Sequence, residues 1–369
     1  MKFSLPRNTL LRPLQHVVNS IEKNNTLPIL SNVLFVIGDN RLTLTATDLE
    51  VELISFYPLE INNLDKCQLT IPARKLLDIC VTLPEEATLN FTVEGAKVII
   101  KSNQSRFSLS TLPAEDFPNI ETAVNQLEFS ISEKELRFLI ERTQFTMAQK
   151  DVRYFLNGLL LELDKNSIST VATDGHRLAM CTLTTEANVP TKHQVIIPRK
   201  AISELLRLLE NSDEEVTVSL SENHLRVNKQ FTTFTSKLIE GNFPDYNMVI
   251  PKTNTQEALI NRELFKQVLT RAAVLNDDKF SKGIRLNFKK NILQVSANNS
   301  QHEEAEDELA IQYEGEPLEI GFNVRYLTDI LNTLPDELIK ISLRNPETSC
   351  LIESKQDDGC IYVVMPMRL

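Results

Sequence analysis

The chain has few of the features that mark cofactor or metal chemistry. Only nine of its 369 residues are glycine, and none of them forms a glycine-rich loop of the kind that holds phosphate groups. The HExxH, CxxC and GxSxG motifs are missing, and the five histidines stand in no metal-ligand spacing. These absences argue against a nucleotide-binding loop, a zinc centre and a motif-bearing hydrolase, so we expect no cofactor and no metal.

Long apolar runs are also missing. No stretch reaches the ~18–20 apolar residues that span a bilayer, and Met1–Arg7 contains no apolar segment of signal-peptide length. The cysteines are odd in number and lack CxxC spacing, which predicts reduced thiols in a cytoplasmic protein without a membrane partner. They are Cys67, Cys80, Cys181, Cys350 and Cys360.

An excess of basic residues is missing as well. The formal net charge is −11, and this value alone argues against a nucleic-acid partner, because strong binders usually carry a basic excess. Net charge, however, describes solubility and the long-range field, and it does not say where each charge sits. A basic face within an acidic protein is therefore compatible with the composition.

What the chain does contain is one pattern repeated three times. The segment Ile71–Ile79 returns as Ile197–Leu205 after 126 residues and, more weakly, as Gly321–Ile330 after a further 125. A second motif keeps nearly the same spacing, in Thr45–Asp48, Val171–Asp174 and Ser296–Asn299. Such a period has the size of a domain and is too long for a solenoid unit. We predict three tandem domains, at residues 1–125, 126–252 and 253–369.

Each third begins with an amphipathic stretch whose apolar residues recur at helical spacing. The three stretches are Thr9–Val18, Glu135–Arg142 and Glu263–Leu269. Alternating strands follow, a second helix begins at the Ile-Pro motif, and two more hairpin strands end the unit. This order predicts an α+β fold in which two helices cover one face of an antiparallel sheet.

Cations stand at the start of the second helix in the first two repeats. Arg74 and Lys75 follow Pro72, and Arg199 and Lys200 follow Pro198. The positive end of a helix dipole disfavours cations by roughly 0.3–1 kcal/mol each. Either these side chains are simply solvated, or an anion such as a phosphate lies nearby and the helices form a basic lining.

The segment Thr173–Leu178 contains Asp-Gly between alternating strands, a strong turn signal. Three interpretations are open: a plain turn, a binding surface, and catalysis by His176 with Asp174. No motif supplies an activated serine or cysteine for the third interpretation.

The C-terminus is apolar to its last residue, although most termini are polar and frayed. A buried edge strand explains Tyr362–Val364, but it does not explain Met365–Met367, where proline stops the ladder. Structural burial and a peptide-binding groove are both open, since methionine-rich surface accommodates varied partners.

Charge differs between the two ends of the chain. Lys97, Lys101 and Arg106 surround an apolar strand in the first third, and an acidic run follows Glu303 in the last. The acidic run is either a solvated strand or one half of a head-to-tail contact, which closes a ring if the rotation fits.

Together these residues make the chain closely resemble the bacterial β sliding clamps, the processivity subunits of the replicative DNA polymerase III. The resemblance covers essentially the whole chain. Its motifs are Thr26–Leu30, Phe107–Pro113, Asp151–Tyr154, Thr173–Leu178, Phe243–Tyr246 and Val363–Leu369. It implies three clamp domains per chain and a head-to-tail homodimer that forms a closed ring around duplex DNA, bound without sequence preference.

The resemblance also implies a pocket that docks short peptides of partner proteins. Its residues would be Leu156, Thr173, Gly175, His176, Arg177, Leu178, Pro244, Met248, Val249, Asn323, Tyr326, Val363, Val364, Met365, Pro366, Met367 and Arg368. The chain departs from the family at Met248, where arginine is common.

DNA contact and the dimer interface are predicted from the charge patterns together with the resemblance. The residues expected to face DNA are Lys23, Arg74, Lys75, Lys150, Arg153, Tyr154, Arg199, Lys200 and Arg325. The interface is expected to join Lys97, Lys101, Arg106, Phe107 and Leu109 of one chain to Val274, Leu275, Glu303, Glu304 and Glu306 of the other.

The function predicted from these patterns is that of a non-enzymatic clamp with no catalytic residue. Its implied partners are double-stranded DNA, the polymerase catalytic subunit, the clamp loader, and clamp-binding repair polymerases, ligase and mismatch-repair proteins. Two alternatives come from other classes. One is a hydrolase that uses His176 and Asp174, and the other is a three-domain peptide adaptor that stays a monomer of 42.0 kDa.

Overall fold

The computed structural model of the chain describes residues 2–18, 21, 27–59, 66–120, 126–185, 191–275, 283–354 and 359–368. None of the helices in these ranges is long and apolar enough to cross a membrane. The predicted DNA-facing residue Lys23 lies outside the described residues.

The α-helices begin close to where the repeated patterns predict them. They are α1 (Arg7–Val18), α2 (Ala73–Thr82), α3 (Glu133–Thr143), α4 (Arg199–Leu208), α5 (Arg262–Ala272) and α6 (Val324–Thr333). Asn261 and Asn323 cap α5 and α6 by accepting backbone N–H groups of the first turn. Each third therefore contains an opening helix and a second helix after the Ile-Pro or Phe-Asn step.

Every third also begins with a strand that the periodicity did not reveal, because five or six residues before a helix are too few to show alternation. The strands of the first third are β1 (Lys2–Pro6), β2 (Asn32–Gly38), β3 (Arg41–Thr47), β4 (Val51–Pro58), β5 (Cys67–Pro72), β6 (Thr88–Glu94), β7 (Lys97–Ser102) and β8 (Ser105–Ser110).

The second third repeats this order of elements. Its strands are β9 (Leu127–Ser132), β10 (Gly158–Asp164), β11 (Ser167–Thr173), β12 (Arg177–Thr184), β13 (His193–Pro198), β14 (Glu215–Leu220), β15 (His224–Lys229) and β16 (Thr232–Lys237).

The last third repeats it again with one short addition, β21. Its strands are β17 (Gln256–Asn261), β18 (Gly283–Lys289), β19 (Ile292–Asn298), β20 (Glu304–Ala310), β21 (Gln312–Tyr313), β22 (Leu318–Asn323), β23 (Leu338–Leu343), β24 (Cys350–Ser354) and β25 (Cys360–Val364). The prediction of one α+β unit built three times is confirmed.

All strand pairs among the described residues are antiparallel. Two sheets stay within one third, in the orders β1-β6-β7-β8 and β20-β19-β18-β22. Two longer sheets join neighbouring thirds, in the orders β5-β2-β3-β4-β16-β15-β14-β9 and β13-β10-β11-β12-β25-β24-β23-β17-β21. The joining pairs are β4–β16 and β12–β25, and we call each pair a joint.

The chain forms two compact units. One contains residues Met1–Lys134 and Ser203–Leu238, and it includes the joint β4–β16. The other contains Glu135–Ile202 and Ile239–Leu369, and it includes the joint β12–β25. Each joint therefore lies within a single unit.

Two of the five cysteines are not reduced thiols in this structure. Cys181 on β12 and Cys360 on β25 lie opposite each other and are joined as a disulfide. The expectation of reduced thiols is wrong for this pair, because strand pairing brings together residues 179 positions apart. Cys67, Cys80 and Cys350 are free and buried, and burial raises the pKa of Cys67 to about 11 and that of Cys80 to about 12.

Candidate functional site

The predicted turn between β11 and β12 is a tightly hydrogen-bonded loop. Thr173 Oγ1 donates to the Arg177 carbonyl at 2.6 Å and accepts from Gly175 N at 3.0 Å. The Asp174 carboxylate accepts from the backbone N–H groups of His176 and Arg177, at 3.0 and 3.1 Å. Gly175 has φ +87°, a conformation that favours glycine. The prediction of a turn is confirmed, and its side chains hold the loop rigid.

Arg177 connects this turn to the rest of the second unit. Its guanidinium donates to Asp174 at 3.0 Å, to Asp329 on α6 at 2.7 Å and to the Phe145 carbonyl at 3.0 Å, and it lies 4.5 Å from the centre of the Tyr326 ring. Only 8% of the residue is exposed. Its hydrogen-bonding capacity is largely used within the fold, so it positions the site more than it offers donors to a ligand.

His176 and Asp174 do not form an acid–base pair. The Asp174 carboxylate is occupied by the turn amides and by Arg177. The His176 ring is exposed and stacks on Tyr326, with 6.4 Å between ring centres. This geometry favours the binding-surface interpretation of the turn over the catalytic one.

The C-terminal segment lies directly beside the turn. β25 pairs with β12 on one side and β24 on the other, so it is an interior strand and the expectation of an edge strand is wrong. Beyond it, Met365 N donates to the His176 carbonyl at 2.9 Å and Met367 N to the Gly321 carbonyl at 2.8 Å. Pro366, which lacks an N–H, stands between these two hydrogen bonds.

Under this segment lies a compact apolar cluster of the second unit. Its buried members are Leu160, Val171, Leu178, Ile196, Tyr246 and Val363, and Val249, Phe155 and Met180 pack against it partly buried. Val363 links this cluster to the C-terminal segment, in which Met365 and Pro366 are half-buried and Met367 is 39% exposed. The arrangement is a buried apolar floor with flexible, partly exposed walls, which suits an apolar peptide side chain.

The predicted pocket residues differ in what they can contribute. Thr173, Gly175, His176, Val249 and Tyr326 lie around the turn and the apolar floor, with partly or fully exposed surfaces. Met248 is 84% exposed and Pro244 is exposed as well.

Four predicted pocket residues contribute differently. Leu156 and Val364 are buried, and Asn323 uses its side-chain oxygen to cap α6. Arg368 points into solvent, with Glu347 at 3.9 Å. Phe145, Met180 and Asp329 were not predicted as site residues from the sequence. Phe145 and Asp329 accept hydrogen bonds from Arg177, and Met180 packs against the apolar cluster.

The predicted DNA-facing cations lie at helix starts or in exposed turns. No acidic residue occupies the first turn of α2, α4 or α6, so the cations there add to the positive helix ends. Lys75, Lys150 and Arg325 are exposed. Arg74 and Arg199 each donate to a backbone carbonyl, of Ile21 at 2.6 Å and of Met147 at 2.8 Å, and Lys200 is half-buried.

Arg153 lies against the turn, and Tyr154 is the next residue in the chain. Arg153 binds the Asp151 carboxylate through Nε at 3.0 Å and Nη2 at 2.9 Å, which lowers the Asp151 pKa to about 2. A Cβ on Gly175 would meet Arg153 Nη2 at 2.9 Å, so this arginine lies against the turn. Tyr154 is 57% exposed.

The predicted interface residues lie on two open sheet edges and their surroundings. β8 carries Arg106, Phe107 and Leu109 at the edge of one sheet, and Lys97 and Lys101 lie on the neighbouring β7. β20 is the edge of another sheet, and the residues on or near it are Val274, Leu275, Glu303, Glu304 and Glu306. Val274 is 77% exposed. Open edges of this kind pair readily with another strand.

Comparison with known proteins covers the whole chain. Three family models match in sequence: the N-terminal domain of the DNA polymerase III beta subunit at residues 1–121, its central domain at 130–245 and its C-terminal domain at 247–368. The chain is 46% identical to the beta sliding clamp of Pseudomonas aeruginosa and 44% identical to that of Escherichia coli K12, over 369 residues and 100% of both chains in each case.

Solved structures agree with these matches. A DNA polymerase sliding clamp from Pseudomonas aeruginosa, crystallised with a ligand, matches with a TM-score of 0.97 and 46% identity over 100% of both chains. A sliding clamp from Caulobacter crescentus matches with a TM-score of 0.93 and 34% identity, again over 100% of both chains.

Proposed function

The chain belongs to the DNA polymerase III beta subunit family, the beta sliding clamps, and from this membership we propose that it acts as a ring on DNA. Two copies close head to tail around duplex DNA without sequence preference. The ring tethers the replicative polymerase and other DNA-processing proteins in the cytoplasm and performs no catalysis itself. The observation that carries the proposal is the joint. The chain forms it twice, and the corresponding strands in the first and last thirds, β8 and β20, have an open edge.

The two existing joints share one register. In the first unit β4 pairs with β16, and Leu53 lies opposite Phe234. In the second unit β12 pairs with β25, and Ala179 lies opposite Tyr362. Phe234 is 1% exposed and Tyr362 is 0% exposed. A joint therefore buries the aromatic residue at the third position of the strand that follows the crossover, β16 or β25.

The strands that correspond to these partners at the two ends of the chain are β20 and β8, which are open edges. The strand pairings have the same order in each repeat, so residues of different repeats can be matched by their pairing partners. Ala305 then corresponds to Ala179, and Phe107 corresponds to Tyr362. Phe107 is only half-buried, unlike its counterparts. The partial exposure of Phe107 is expected if its strand lacks the partner strand that covers Phe234 and Tyr362.

The same register between two chains sets Ala305 opposite Phe107 and Glu306 opposite Arg106. Because Phe107 is already half-buried, completing its burial contributes less than the about 1.5–3 kcal/mol of a fully exposed phenylalanine. An opposite-charge pair across strands adds about 0.2–1 kcal/mol. The other residues we assign to the interface are Lys97, Lys101, Leu109, Val274, Leu275, Glu303 and Glu304. Because β20 and β8 are unlike surfaces, two such contacts close a dimer ring of six domains.

We assign DNA contact to the cations of the helix starts and exposed turns. They are Arg74, Lys75, Arg199, Lys200 and Arg325, with Lys150, Arg153, Tyr154 and Lys23. Phosphate contacts carry no sequence information, so they permit sliding. A closed ring stays on DNA by topology even when these contacts are weak, and a tethered polymerase then meets its primer end at high effective concentration.

We assign peptide docking to the apolar floor and walls around the Thr173–Arg177 turn. A preformed apolar site with a few orienting polar groups suits short segments with spaced apolar side chains. The partners proposed for it are the polymerase catalytic subunit, the clamp loader, repair polymerases, ligase and mismatch-repair proteins. Because they share one site, they would compete for it.

Retention on circular DNA tests the proposal. Loaded onto a nicked circular plasmid by a clamp loader, the labelled protein should stay bound during gel filtration at high salt. It should leave when a restriction enzyme linearises the plasmid, because salt screens phosphate contacts but does not open a ring. Equal retention on circular and linear DNA, or a particle of only 42.0 kDa in sedimentation, would support the monomeric adaptor instead.

A further inference from the structure

We propose that the joint β4–β16 holds a second peptide site, which binds a free C-terminal carboxylate together with the apolar side chain of the last residue. The site is a cavity of about 260 Å³ in the first unit. Its lining residues are Thr47, Leu49, Pro118, Asn119, Ile120, His224 and Lys237. It goes beyond the proposed function, because it lies at the other joint and needs neither DNA nor a ring.

The cavity is built on the same loop as the turn of the second unit. Thr47 Oγ1 donates to the Val51 carbonyl at 2.9 Å and accepts from Leu49 N at 3.1 Å. The Asp48 carboxylate accepts from the N–H groups of Glu50 and Val51, at 2.9 and 2.8 Å. These four hydrogen bonds repeat those of Thr173–Arg177 one for one.

The segment after the joined strand is also held in the same way. Lys237 N donates to the Glu50 carbonyl at 2.9 Å, as Met365 N donates to the His176 carbonyl at 2.9 Å. Lys237 therefore stands at the position of Met365. The first joint has the backbone of the second site and a cation where the second site has a thioether.

The lining of this cavity fits a carboxylate next to an apolar group. Leu49, Pro118 and Ile120 supply apolar surface. Among the lining side chains, Lys237 carries a formal positive charge. Two nearby acids are already engaged, since Asp48 accepts the turn amides and Glu52 accepts the backbone N–H of Ile120 at 3.3 Å. A third acid, Glu50, is exposed to solvent. Lys237 is thus left to attract an anion from outside.

His224 gives the independent sign that a ligand belongs here. Both of its ring nitrogens are buried and make no hydrogen bond with the described residues. Buried polar atoms without partners are uncommon and costly. Burial first, then the nearby charges of Lys237 and Arg226, lower the His224 pKa, so the neutral ring has one N–H to donate. A carboxylate between His224 and Lys237 would accept from both.

Leu49 adds a strained wall to the site. Its φ is +78°, although it is not a glycine, and the equivalent position in the other turn is Gly175. A leucine in this region costs roughly 1–2 kcal/mol. Its side chain, 38% exposed, faces the cavity. Such strain is typical of a residue kept for binding.

The size of the cavity favours a chain end over a continuing peptide. At about 260 Å³ it is smaller than the ~300–1,000 Å³ of sites for drug-sized ligands. One apolar side chain and an adjacent carboxylate fill such a volume.

Methyl NMR of the full-length chain tests this site with acetyl-Gly-Gly-Leu carrying a free carboxylate. The peptide should shift the methyl resonances of Leu49 and Ile120, and its C-terminal amide should bind about tenfold more weakly, a difference of ~1.4 kcal/mol. Lys237→Met, which installs the residue of the other joint, should remove the preference for the carboxylate form. Lys237→Arg should retain it.

Three outcomes would overturn the proposal: no shift at Leu49 or Ile120, equal binding of the amide, or unchanged binding in Lys237→Met. Binding only of acetyl-Gly-Asp-Leu-amide would assign the site to an acidic side chain and would also contradict it. The methyl groups of Met365 and Met367 report the proposed pocket of the second unit separately in the same spectra, so the two sites cannot be confused.

Discussion

The joints β4–β16 and β12–β25 share a backbone and differ in their side chains. The second turn carries Gly175 and a buried Arg177, and an apolar tail follows its joined strand. The first carries Leu49 and Val51 at the same places, and Lys237 follows its strand. Strand pairing therefore gives both joints the same backbone, and we expect a few side chains to decide which ligand each joint suits.

The largest expected difference between the joints is how far the stability of each depends on a buried charge. Arg177→Ala would leave the carboxylates of Asp174 and Asp329 without their cation, and breaking such a pair costs about 3–5 kcal/mol. We expect hydrogen exchange of the β12 and β25 amides to speed up by about 100-fold or more, measured by mass spectrometry.

Val51→Ala is the matched change at the first joint. Val51 is 1% exposed, and its truncation leaves no charged group without a partner. The change should therefore cost only about 2 kcal/mol of stability. Exchange in β4 should respond to Val51→Ala and not to Arg177→Ala. Equal responses of the two joints to the two changes would show that the Arg177 network does not hold the second joint.

A smaller effect is expected from the tail. Deleting Met365–Leu369 removes two backbone hydrogen bonds and the exposed wall, but β25 keeps both of its neighbours. The affinity for a fluorescein-labelled clamp-binding peptide should fall about 100-fold in anisotropy titrations, or ~2.7 kcal/mol, and the sedimentation coefficient should keep its dimer value.

Met248→Ala serves as the comparison for this deletion. The side chain is 84% exposed and packs against little, so its loss should weaken the peptide only about twofold. A truncated chain that binds the peptide at near-normal affinity would mean that docking does not use the tail.

Much of the fold can be predicted from the sequence because the same pattern of helices and strands occurs three times in it. The Ile-Pro motifs predict the starts of α2 and α4, and the weaker Phe322-Asn323 copy predicts that of α6. Agreement between copies makes a short pattern significant when one copy alone would be ambiguous. The turn at Thr173–Arg177 was predictable for a different reason, since Asp-Gly is a strong local signal in a single copy.

What the sequence did not reveal depends on long-range pairing. Nothing in Thr47–Val51 signals a turn with a positive φ, because leucine occupies the glycine position. The disulfide of Cys181 and Cys360 and the interior position of β25 both follow from the pairing of β12 with β25. Local patterns predict elements, and the joint decides which distant residues meet.

If a second chain completes the same joint, cysteines placed like Cys181 and Cys360 will meet across the contact between the two chains. Ser105 and Asp307 stand at the positions of Cys360 and Cys181. The Ser105→Cys, Asp307→Cys double variant should form an intermolecular disulfide on mild oxidation and migrate as a covalent dimer in non-reducing gels.

Ser105→Cys combined with Glu306→Cys, one residue out of register, should cross-link far less. If the out-of-register pair cross-links as well as the matched pair, or if neither does while the protein is dimeric in sedimentation, the two chains do not meet through a copy of the internal joint.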